Sequence, residues 1–214
     1  MEYEKTGKMF QLSKMSFSDY LDFWVENYVL INCKYNTQKI YRQIINLHIK
    51  PSIGRFKLSS LTPAILQNFI NSKYQEGYSL ATIKMMKTIL YSALKYAIFP
   101  CQYIKENPIQ YIKIPKKKEQ PANPVESKVV SKEQFKKIIE TLNPCYHLIY
   151  LIAYYTGCRE GEILALTWDD IDFKTQEISI NTTQIKGKHC YYLGTPKTES
   201  SKRKIKIGNL LINI

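Results

Sequence analysis

The sequence predicts a mainly α-helical protein with a small antiparallel β-sheet, arranged as a helical bundle followed by a smaller α+β domain. Three observations indicate this fold class. Apolar residues recur at helical spacing from Phe17 to Ile98, and a basic segment with three prolines covers residues 113–130. After Asp172 the apolar period changes from 3.6 to 2. The predicted boundaries are a lead-in at 1–13, a helical domain at 14–112, a linker at 113–130 and a second domain at 131–214.

The first two predicted helices have caps and one apolar face each. Ser16 precedes the first helix, and Asn36 or Thr37 caps the second, which Pro51 and Gly54 are expected to end. The residues expected to face inward are Phe17, Tyr20, Leu21, Trp24, Val25 and Tyr28 in the first helix, and Ile40, Ile44, Ile45 and Leu47 in the second.

Two further helices complete the predicted bundle. Thr62 caps a helix that has Pro63 in its first turn and that Gly77 ends. Ser79 then caps a long helix that runs as far as Pro100. The sequence therefore predicts four helices before the linker.

The second domain is predicted to begin with two helices and to continue with strands. Ser131 and Gln134 form a capping box, and Pro144 opens a helix that is apolar on nearly all sides and is expected to be buried. A third, short helix is expected from Cys158 to Leu166, with Ile163, Leu164 and Leu166 on its buried side. The alternating segments EISINTT, KHCYYL and RKIKI predict three strands of a small antiparallel sheet, whose second turn covers Thr195 to Lys202.

Positive charge is concentrated in one part of the chain. Residues 30–118 contain fifteen Lys or Arg and two acids, whereas residues 1–29 have a net charge of −2 and residues 119–214 a net charge of +2. A solvated surface that happens to be basic would explain some of this excess. An imbalance of this size favours a polyanionic partner, most simply double-stranded DNA.

Ten residues are candidates for contacts with the DNA backbone. Each cation taken singly is also explained as a solvated side chain, and the linker as a plain solvated joint. As a set they suit phosphate contacts, which position a protein without reading sequence. They are Lys34, Tyr35, Lys39, Tyr41, Arg42, Lys84, Lys87, Lys116, Lys117 and Lys118.

Several classes of protein are not favoured by the composition. No segment approaches the roughly 20 apolar residues of a membrane span, and the first residues lack the apolar core of a signal peptide. The five cysteines are scattered without Cys-x-x-Cys spacing, which argues for reduced thiols in the cytoplasm and against a zinc site. We expect neither a metal nor a cofactor.

Residues 156–173, TGCREGEILALTWDDIDF, contain the main candidate for a reactive site. Arg159 is placed in the first turn of the short helix. It could be a surface arginine or an ion-pair partner of Glu160 or Glu162. It could also be a phosphate ligand, because a permanently charged planar fork beside free helix-start amides suits an oxyanion.

The spacing T-G-x-R-x-x-E-x-x-x-L-x-W-x-D-I-D in this stretch resembles the first arginine box of tyrosine recombinases, the phage integrases. Residues 16–112, with NTQKIYRQIINLHIKPSIG and YIKENP, are similar to the SAM-like core-binding domain of that family. The resemblance implies that the remainder is part of an α+β catalytic domain. It also implies a DNA partner and a homotetramer on paired sites.

In that family a tyrosine attacks a phosphodiester and forms a 3′-phosphotyrosine. By this resemblance Arg159 would hold the scissile phosphate, and Glu162 would support it structurally. Lys197, in TPKTESSKRKI, would be the general acid for the leaving 5′-oxygen, although a lysine in a hairpin turn is also explained as a solubilising charge. Trp168 and Asp169 to Asp172 are expected to close the short helix onto the sheet.

The family pattern continues with a His-x-x-Arg box and a later nucleophilic tyrosine, and these 214 residues contain no His-x-x-Arg. The expectation is a core-binding domain with roughly the first half of a catalytic domain, inactive by itself. Tyr155 is expected to face a packed helix, and Tyr191 and Tyr192 to lie in a strand. The alternative is a non-catalytic DNA-binding protein that competes for the recombination site. A basic helical protein that binds RNA or another anionic partner is a more remote possibility.

Overall fold

The computed structural model describes residues 15–115, 129–187, 190–195 and 201–208. The chain divides into two compact units, Met1–Asn123 and Pro124–Ile214. Within the described ranges the first unit is helical and the second combines helices with antiparallel strands, which confirms the predicted fold class. No helix in these ranges is both long enough and apolar enough to cross a bilayer.

The described residues of the first unit contain six α-helical segments, and side-chain caps define the starts of three of them. Ser16, Thr62 and Ser79 each accept a hydrogen bond from a backbone N–H three residues later, as the sequence predicts. The segments are α1 (Phe17–Trp24), α2 (Leu30–Asn32), α3 (Tyr35–Ile44), α4 (Lys50–Ile53), α5 (Pro63–Gln75) and α6 (Leu80–Ile98). One π turn, Val25–Val29, joins α1 to α2, and a second, Ile45–Ile49, joins α3 to α4.

The second predicted helix differs from the structure at both ends. It begins after Lys34, not at Asn36 or Thr37, and it continues through Pro51 before it stops at Gly54. The prediction that Pro51 breaks the helix is wrong. In the preceding π turn the Lys50 N–H donates to the Ile45 carbonyl. This wider turn shifts the hydrogen-bond register and accommodates a residue that has no N–H to donate.

The same π turn changes which side chains of this helix are buried. Ile44, Ile45 and Ile49 belong to the core, whereas Ile40 and Leu47 are 43% and 61% exposed. Placing Ile40 and Leu47 inward was therefore wrong. For Leu47 the reason is the π turn, because a uniform period of 3.6 cannot follow a helix whose winding changes within it, whereas Ile40 lies in α3 before that turn.

A single apolar core of 25 buried residues organises the first unit. Trp24 lies in its interior and is stacked with Tyr28 at 5.8 Å and with Tyr41 at 6.0 Å between ring centroids. The Tyr20 hydroxyl donates to the Ala93 carbonyl at 2.5 Å. These contacts join α1 to α3 and α6, so this unit is packed throughout its described length.

The described helices of the second unit are α7 (Lys132–Thr141), α8 (His147–Thr156) and the four-residue α9 (Glu160–Ile163). The capping box at Ser131 and Gln134 is present as predicted. The expectation of a buried α8 is wrong, because Ile152 is the one buried residue in this helix, and Leu148, Tyr150 and Tyr155 are 42–51% exposed. Tyr155 contacts Tyr154 edge-on and does not face a packed helix.

The strands of this unit form two antiparallel sheets in place of the single predicted one. The first has the order β1-β2-β5 and the second pairs β3 with β4. The predicted strand EISINTT is divided between β2 and β3, and Tyr191 and Tyr192 lie in β4 as expected. The strands are β1 (Ile171–Asp172), β2 (Glu177–Ile180), β3 (Thr183–Lys186), β4 (Tyr191–Gly194) and β5 (Arg203–Lys206).

Candidate active site

The position of Arg159 is set by the short segment of backbone between α8 and α9. Gly157 ends α8 with a φ of 63°, a left-handed conformation that glycine adopts without strain. The Thr156 hydroxyl donates to the Ile152 carbonyl at 2.5 Å and accepts from the Cys158 N–H at 3.2 Å. Arg159 follows as the N-cap residue of α9, outside its first turn. Because α9 has four residues, the helix-start argument for an anion site at Arg159 does not hold.

Two arginine side chains meet at the carboxylate of Glu162, one from three residues earlier in the chain and one from β5. Arg159 Nη1 donates to Oε1 at 2.8 Å, and the Arg159 backbone N–H donates to Oε2 at 3.0 Å. Arg203, in β5, donates from Nη2 to Oε2 at 2.8 Å. The side chain of Glu162 is 3% exposed, that of Arg203 is 32% exposed, and that of Arg159 is 73% exposed. The carboxylate is therefore internal, and the Arg159 fork is presented to solvent.

The electrostatics of this cluster follow from its hydrogen bonds. The hydrogen bond from Arg203 is the main cause that lowers the pKa of Glu162 to about 2, with further lowering by the backbone and side chain of Arg159 and opposition from burial. The same carboxylate raises the pKa of Arg203. At neutral pH the cluster contains two guanidinium groups and one carboxylate, with a net charge of +1.

Gly161 allows α9 to lie close to β3. A Cβ atom at this position would be 2.7 Å from Thr183 Oγ1 and 2.9 Å from the Gln184 carbonyl oxygen. Since the second of these atoms belongs to the backbone, a larger residue would displace α9. The glycine in the sequence Arg-Glu-Gly-Glu thus keeps Glu162 in place.

Arg203 was not among the residues predicted for the site, although the sequence contained a signal for it. In RKIKI, Arg203 shares the period-2 face with Ile205 and Ile207, and in the sheet it pairs with the buried Ile180. An arginine on the inner face of a strand requires an anionic partner, and Glu162 is the buried carboxylate of this unit's described residues.

Other residues of the arginine stretch have different roles from those expected. Trp168 is 75% exposed and stacks on Phe173, so it does not close the helix onto the sheet, and Leu164 is exposed as well. Asp170 accepts from the backbone and hydroxyl of Thr167, which stabilises a turn. Asp172 accepts from the N–H groups of Thr175 and Lys174, and these hydrogen bonds lower its pKa.

Lys197, the predicted general acid, lies outside the described residues, as do Lys116, Lys117 and Lys118. The structure therefore places Arg159 and Glu162 together and says nothing about how Lys197 relates to them. Within residues 15–115, 129–187, 190–195 and 201–208, no group of three or more His, Cys, Asp or Glu is arranged to hold a metal ion.

The candidate DNA-binding residues of the helical unit fall into an exposed group and a partly buried group. Lys34, Lys39, Arg42 and Lys84 are exposed, and Lys39, Arg42 and Lys84 form no ion pair within the described ranges. The remaining candidates are partly buried: Lys87 donates to the Ile112 carbonyl at 2.5 Å, Tyr41 is stacked on Trp24, and Tyr35 is half-buried.

Two protein-family models match this chain, one in each unit. The family model for the phage integrase N-terminal SAM-like domain matches residues 16–74, and that for the phage integrase family matches residues 128–209. A tyrosine recombinase XerC-like protein of Caldanaerobacter subterraneus subsp. tengcongensis is 29% identical over 97% of this chain. The chain belongs to the tyrosine recombinase family.

A second relative aligns over much of this chain. The ICEBs1 integrase of Bacillus subtilis (strain 168) is 27% identical over 86% of it. The chain spans 56% of the XerC-like relative and 50% of the ICEBs1 integrase, so it corresponds to about half the length of these proteins.

Solved structures show the same fold. The Tn1549 transposon integrase, in complex with a circular intermediate DNA, superimposes with a TM-score of 0.73 at 21% identity, over 93% of this chain and 63% of that one. A lambda integrase dimer bound to a COC′ core site has a TM-score of 0.65 at 19% identity, over 90% of this chain and 49% of that one.

Proposed function

We propose that this chain is the DNA-binding and phosphate-holding part of a site-specific recombinase. In the complete family pattern a tyrosine forms a 3′-phosphotyrosine. In this chain Arg159 would bind the scissile phosphate, Glu162 would support Arg159, and Lys197 would protonate the leaving 5′-oxygen. A planar guanidinium neutralises two non-bridging oxygens, and an ammonium group can donate a proton to an alkoxide.

The presentation of Arg159 is the observation that carries this proposal. One of its five N–H donors is used by Glu162, and the other four make no hydrogen bond within the described residues. The fork is 73% exposed while its supporting carboxylate is 3% exposed. An arginine that serves only as an ion-pair partner gains no advantage from this arrangement, whereas a phosphate ligand requires free donors on an anchored side chain.

The helical unit would supply most of the affinity for double-stranded DNA. Lys34, Lys39, Arg42 and Lys84 are exposed and suit phosphate contacts. We assign Tyr35, Tyr41 and Lys87 a smaller share, because part of each side chain is packed against the protein. The basic residues Lys116, Lys117 and Lys118 would follow the DNA backbone from the linker at 113–130.

The proposal includes the boundaries and partners expected from the sequence. Residues 14–112 would form the core-binding domain and residues 131–214 the first part of the catalytic domain, with 1–13 as a remnant of an arm-binding domain. The complete protein would act in the cytoplasm as a homotetramer on paired DNA sites, without a cofactor.

A non-catalytic DNA-binding protein is the second candidate, because the exposed cations of the helical unit would suit DNA binding with or without chemistry in the second unit. Such a protein would compete with an active recombinase for its site. A reading frame that continues beyond Ile214 with His-x-x-Arg and a later tyrosine would decide for the enzyme.

Salt-dependent DNA binding tests the proposed interface. The full chain is titrated against a fluorescent random-sequence duplex at several salt concentrations, together with the triple variant Lys39→Ala, Arg42→Ala, Lys84→Ala. Because each phosphate contact contributes about 0.9 to the slope of log K against log salt, we expect the slope to fall by about 3.

The matched control is a second triple variant, which removes three positive charges from α7. Lys132, Lys136 and Lys137 are all exposed, and replacing them with alanine should leave the slope nearly unchanged. Binding by the wild-type chain that does not depend on salt, or an equal loss in the control, would show that the helical unit is not the interface.

A further inference from the structure

The carboxylate of Glu162 is shared unequally by two arginines. Its Oε1 atom accepts one hydrogen bond, from Arg159 Nη1 at 2.8 Å. Its Oε2 atom accepts two, from Arg203 Nη2 at 2.8 Å and from the Arg159 backbone N–H at 3.0 Å. Both oxygens are occupied in directions that fix the plane of the carboxylate, and through it the position of the Arg159 fork.

The two guanidinium groups differ in what remains available to a ligand. Arg203 also donates from Nη2 to Cys158 Sγ at 3.5 Å and from Nη1 to the Ser201 carbonyl at 3.2 Å. It is 32% exposed and anchored at three protein atoms, whereas Arg159 is 73% exposed and anchored by one side-chain bond. The donors of Arg203 are therefore used mainly for contacts within the protein, whereas most donors of Arg159 remain available to a ligand.

The charge of the cluster shows what Arg203 adds. Without Arg203, the carboxylate of Glu162 would neutralise the charge of Arg159. The Arg159–Glu162 pair would then have no net charge to attract an anion. With Arg203 present the cluster has a net charge of +1, and the charge not balanced by Glu162 lies on the exposed fork.

We propose that Arg203 is a positioning residue for Arg159: it neutralises and orients Glu162, so that Arg159 is held in place while it keeps its charge and four N–H donors for a phosphate. This inference rests on the proposed function, in which Arg159 binds the scissile phosphate. It adds a residue 41 positions from Glu162 in the sequence to the phosphate site.

A purely structural role predicts a different pattern of results. If Arg203 only fastens β5 to the Cys158–Glu162 segment, its replacement changes stability, and no change in the charge of Glu162 can restore phosphate binding. If it acts through the charge and orientation of Glu162, removing both charges together leaves Arg159 with a net +1 and restores much of the binding.

The experiment follows inorganic phosphate binding to the full chain by NMR, using the Nε–Hε signal of Arg159 at constant ionic strength. We expect Arg203→Met to weaken binding on the order of tenfold, since the cluster that holds Arg159 then loses its net positive charge. The double variant Arg203→Met, Glu162→Gln should recover to within about threefold of wild type, and so should Arg203→Lys. Lys204→Met, which removes the adjacent exposed charge from the other face of β5, is the control and should change binding less than twofold.

A second measurement needs no substitution and so does not depend on whether a variant folds. In the wild-type chain the Nη groups of Arg203 should give separate signals, because three hydrogen bonds hinder rotation about Cζ–Nη. Free rotation of Arg203 would overturn the proposal, as would Arg203→Met binding phosphate as well as wild type or a folded double variant that stays as weak as Arg203→Met.

These outcomes are distinct from failure of the proposed function. If phosphate shifts Arg159 in the wild type and Arg203→Met changes nothing, Arg203 is not a positioning residue and the phosphate site stands. If phosphate does not perturb Arg159 in the wild type, the phosphate site itself is wrong, and the inference about Arg203 is wrong with it.

Discussion

The two units differ most in how much apolar surface they bury. In the helical unit α6 alone contributes seven residues to the core, from Ile83 to Ala97. The buried cluster of the second unit, within its described residues, has six members: Ile152, Cys158, Ile163, Ile178, Ile180 and Ile207. Apolar burial is the main favourable term in folding, so we expect the helical unit to be the more stable of the two.

The two units also differ in their charged groups, and here the second unit has the more extensive buried interactions. The helical unit presents several exposed cations on a well-packed bundle, which suits affinity without chemistry. The second unit contains the buried carboxylate with two arginines, and it also has an apolar groove lined by Leu148, Ile152, Trp168 and Phe173. Under the proposed function, DNA affinity and chemistry would belong to separate units, and we expect these units to differ in stability.

The largest expected effect concerns the chemistry of the second unit. With a nicked suicide substrate, the 214-residue chain should form no covalent adduct with DNA. The second arginine of the family pattern and the tyrosine that follows it are not in this sequence, and losing one such oxyanion donor typically costs about 10²–10³ in rate.

Denaturing gel electrophoresis of the labelled DNA checks this expectation. Tyr155 needs particular attention because it is exposed and lies four residues before Arg159. An adduct that persists in the wild type and disappears in Tyr155→Phe would show that the second unit supplies its own nucleophile.

The next effect is on stability. We expect two thermal transitions, with earlier hydrogen exchange in the second unit because few of its apolar side chains are buried. Leu90→Ala, in the core of α6, should destabilise the helical unit by about 2–5 kcal/mol and leave the second transition in place. Ile178→Ala should destabilise the second unit and leave the transition of the helical unit in place.

Differential scanning calorimetry with residue-resolved hydrogen exchange distinguishes the two transitions. A single cooperative transition that both variants shift equally would mean that the two units fold as one, and the comparison drawn above would fail.

The smallest expected effect is the pH dependence contributed by Glu162. Its pKa is lowered to about 2 in the folded protein, so its stabilising contribution is fully present above its unfolded pKa. This contribution is lost as the pH falls from about 4.5 through about 2. From the size of the shift we expect a contribution on the order of 3 kcal/mol, confined to the second unit.

Denaturant unfolding between neutral and acidic pH, compared with Glu162→Gln, isolates this contribution from those of Asp172 and Glu133, whose pKa values are also lowered by hydrogen bonds. The difference between wild type and variant should shrink as the pH falls. A difference that stays constant with pH would show that Glu162 is not held as a carboxylate by the two arginines.

The sequence by itself determined the fold class and the starts of the helices that have side-chain caps, and it allowed the contact between Arg159 and Glu162 to be predicted. Ser16, Thr62, Ser79 and Ser131 predict helix starts because a capping hydrogen bond joins residues three positions apart. Such local interactions can be recognised in a sequence without knowledge of the rest of the chain.

The tertiary structure decided the features that depend on distant contacts. The π turn at Ile45–Ile49 turns Leu47 outward, and α8 is exposed although its composition is that of a buried helix. Arg203 reaches Glu162 across 41 residues of sequence. Which face is buried and which charges meet depends on how elements pack, because burial and ion pairing act between groups that the fold brings together.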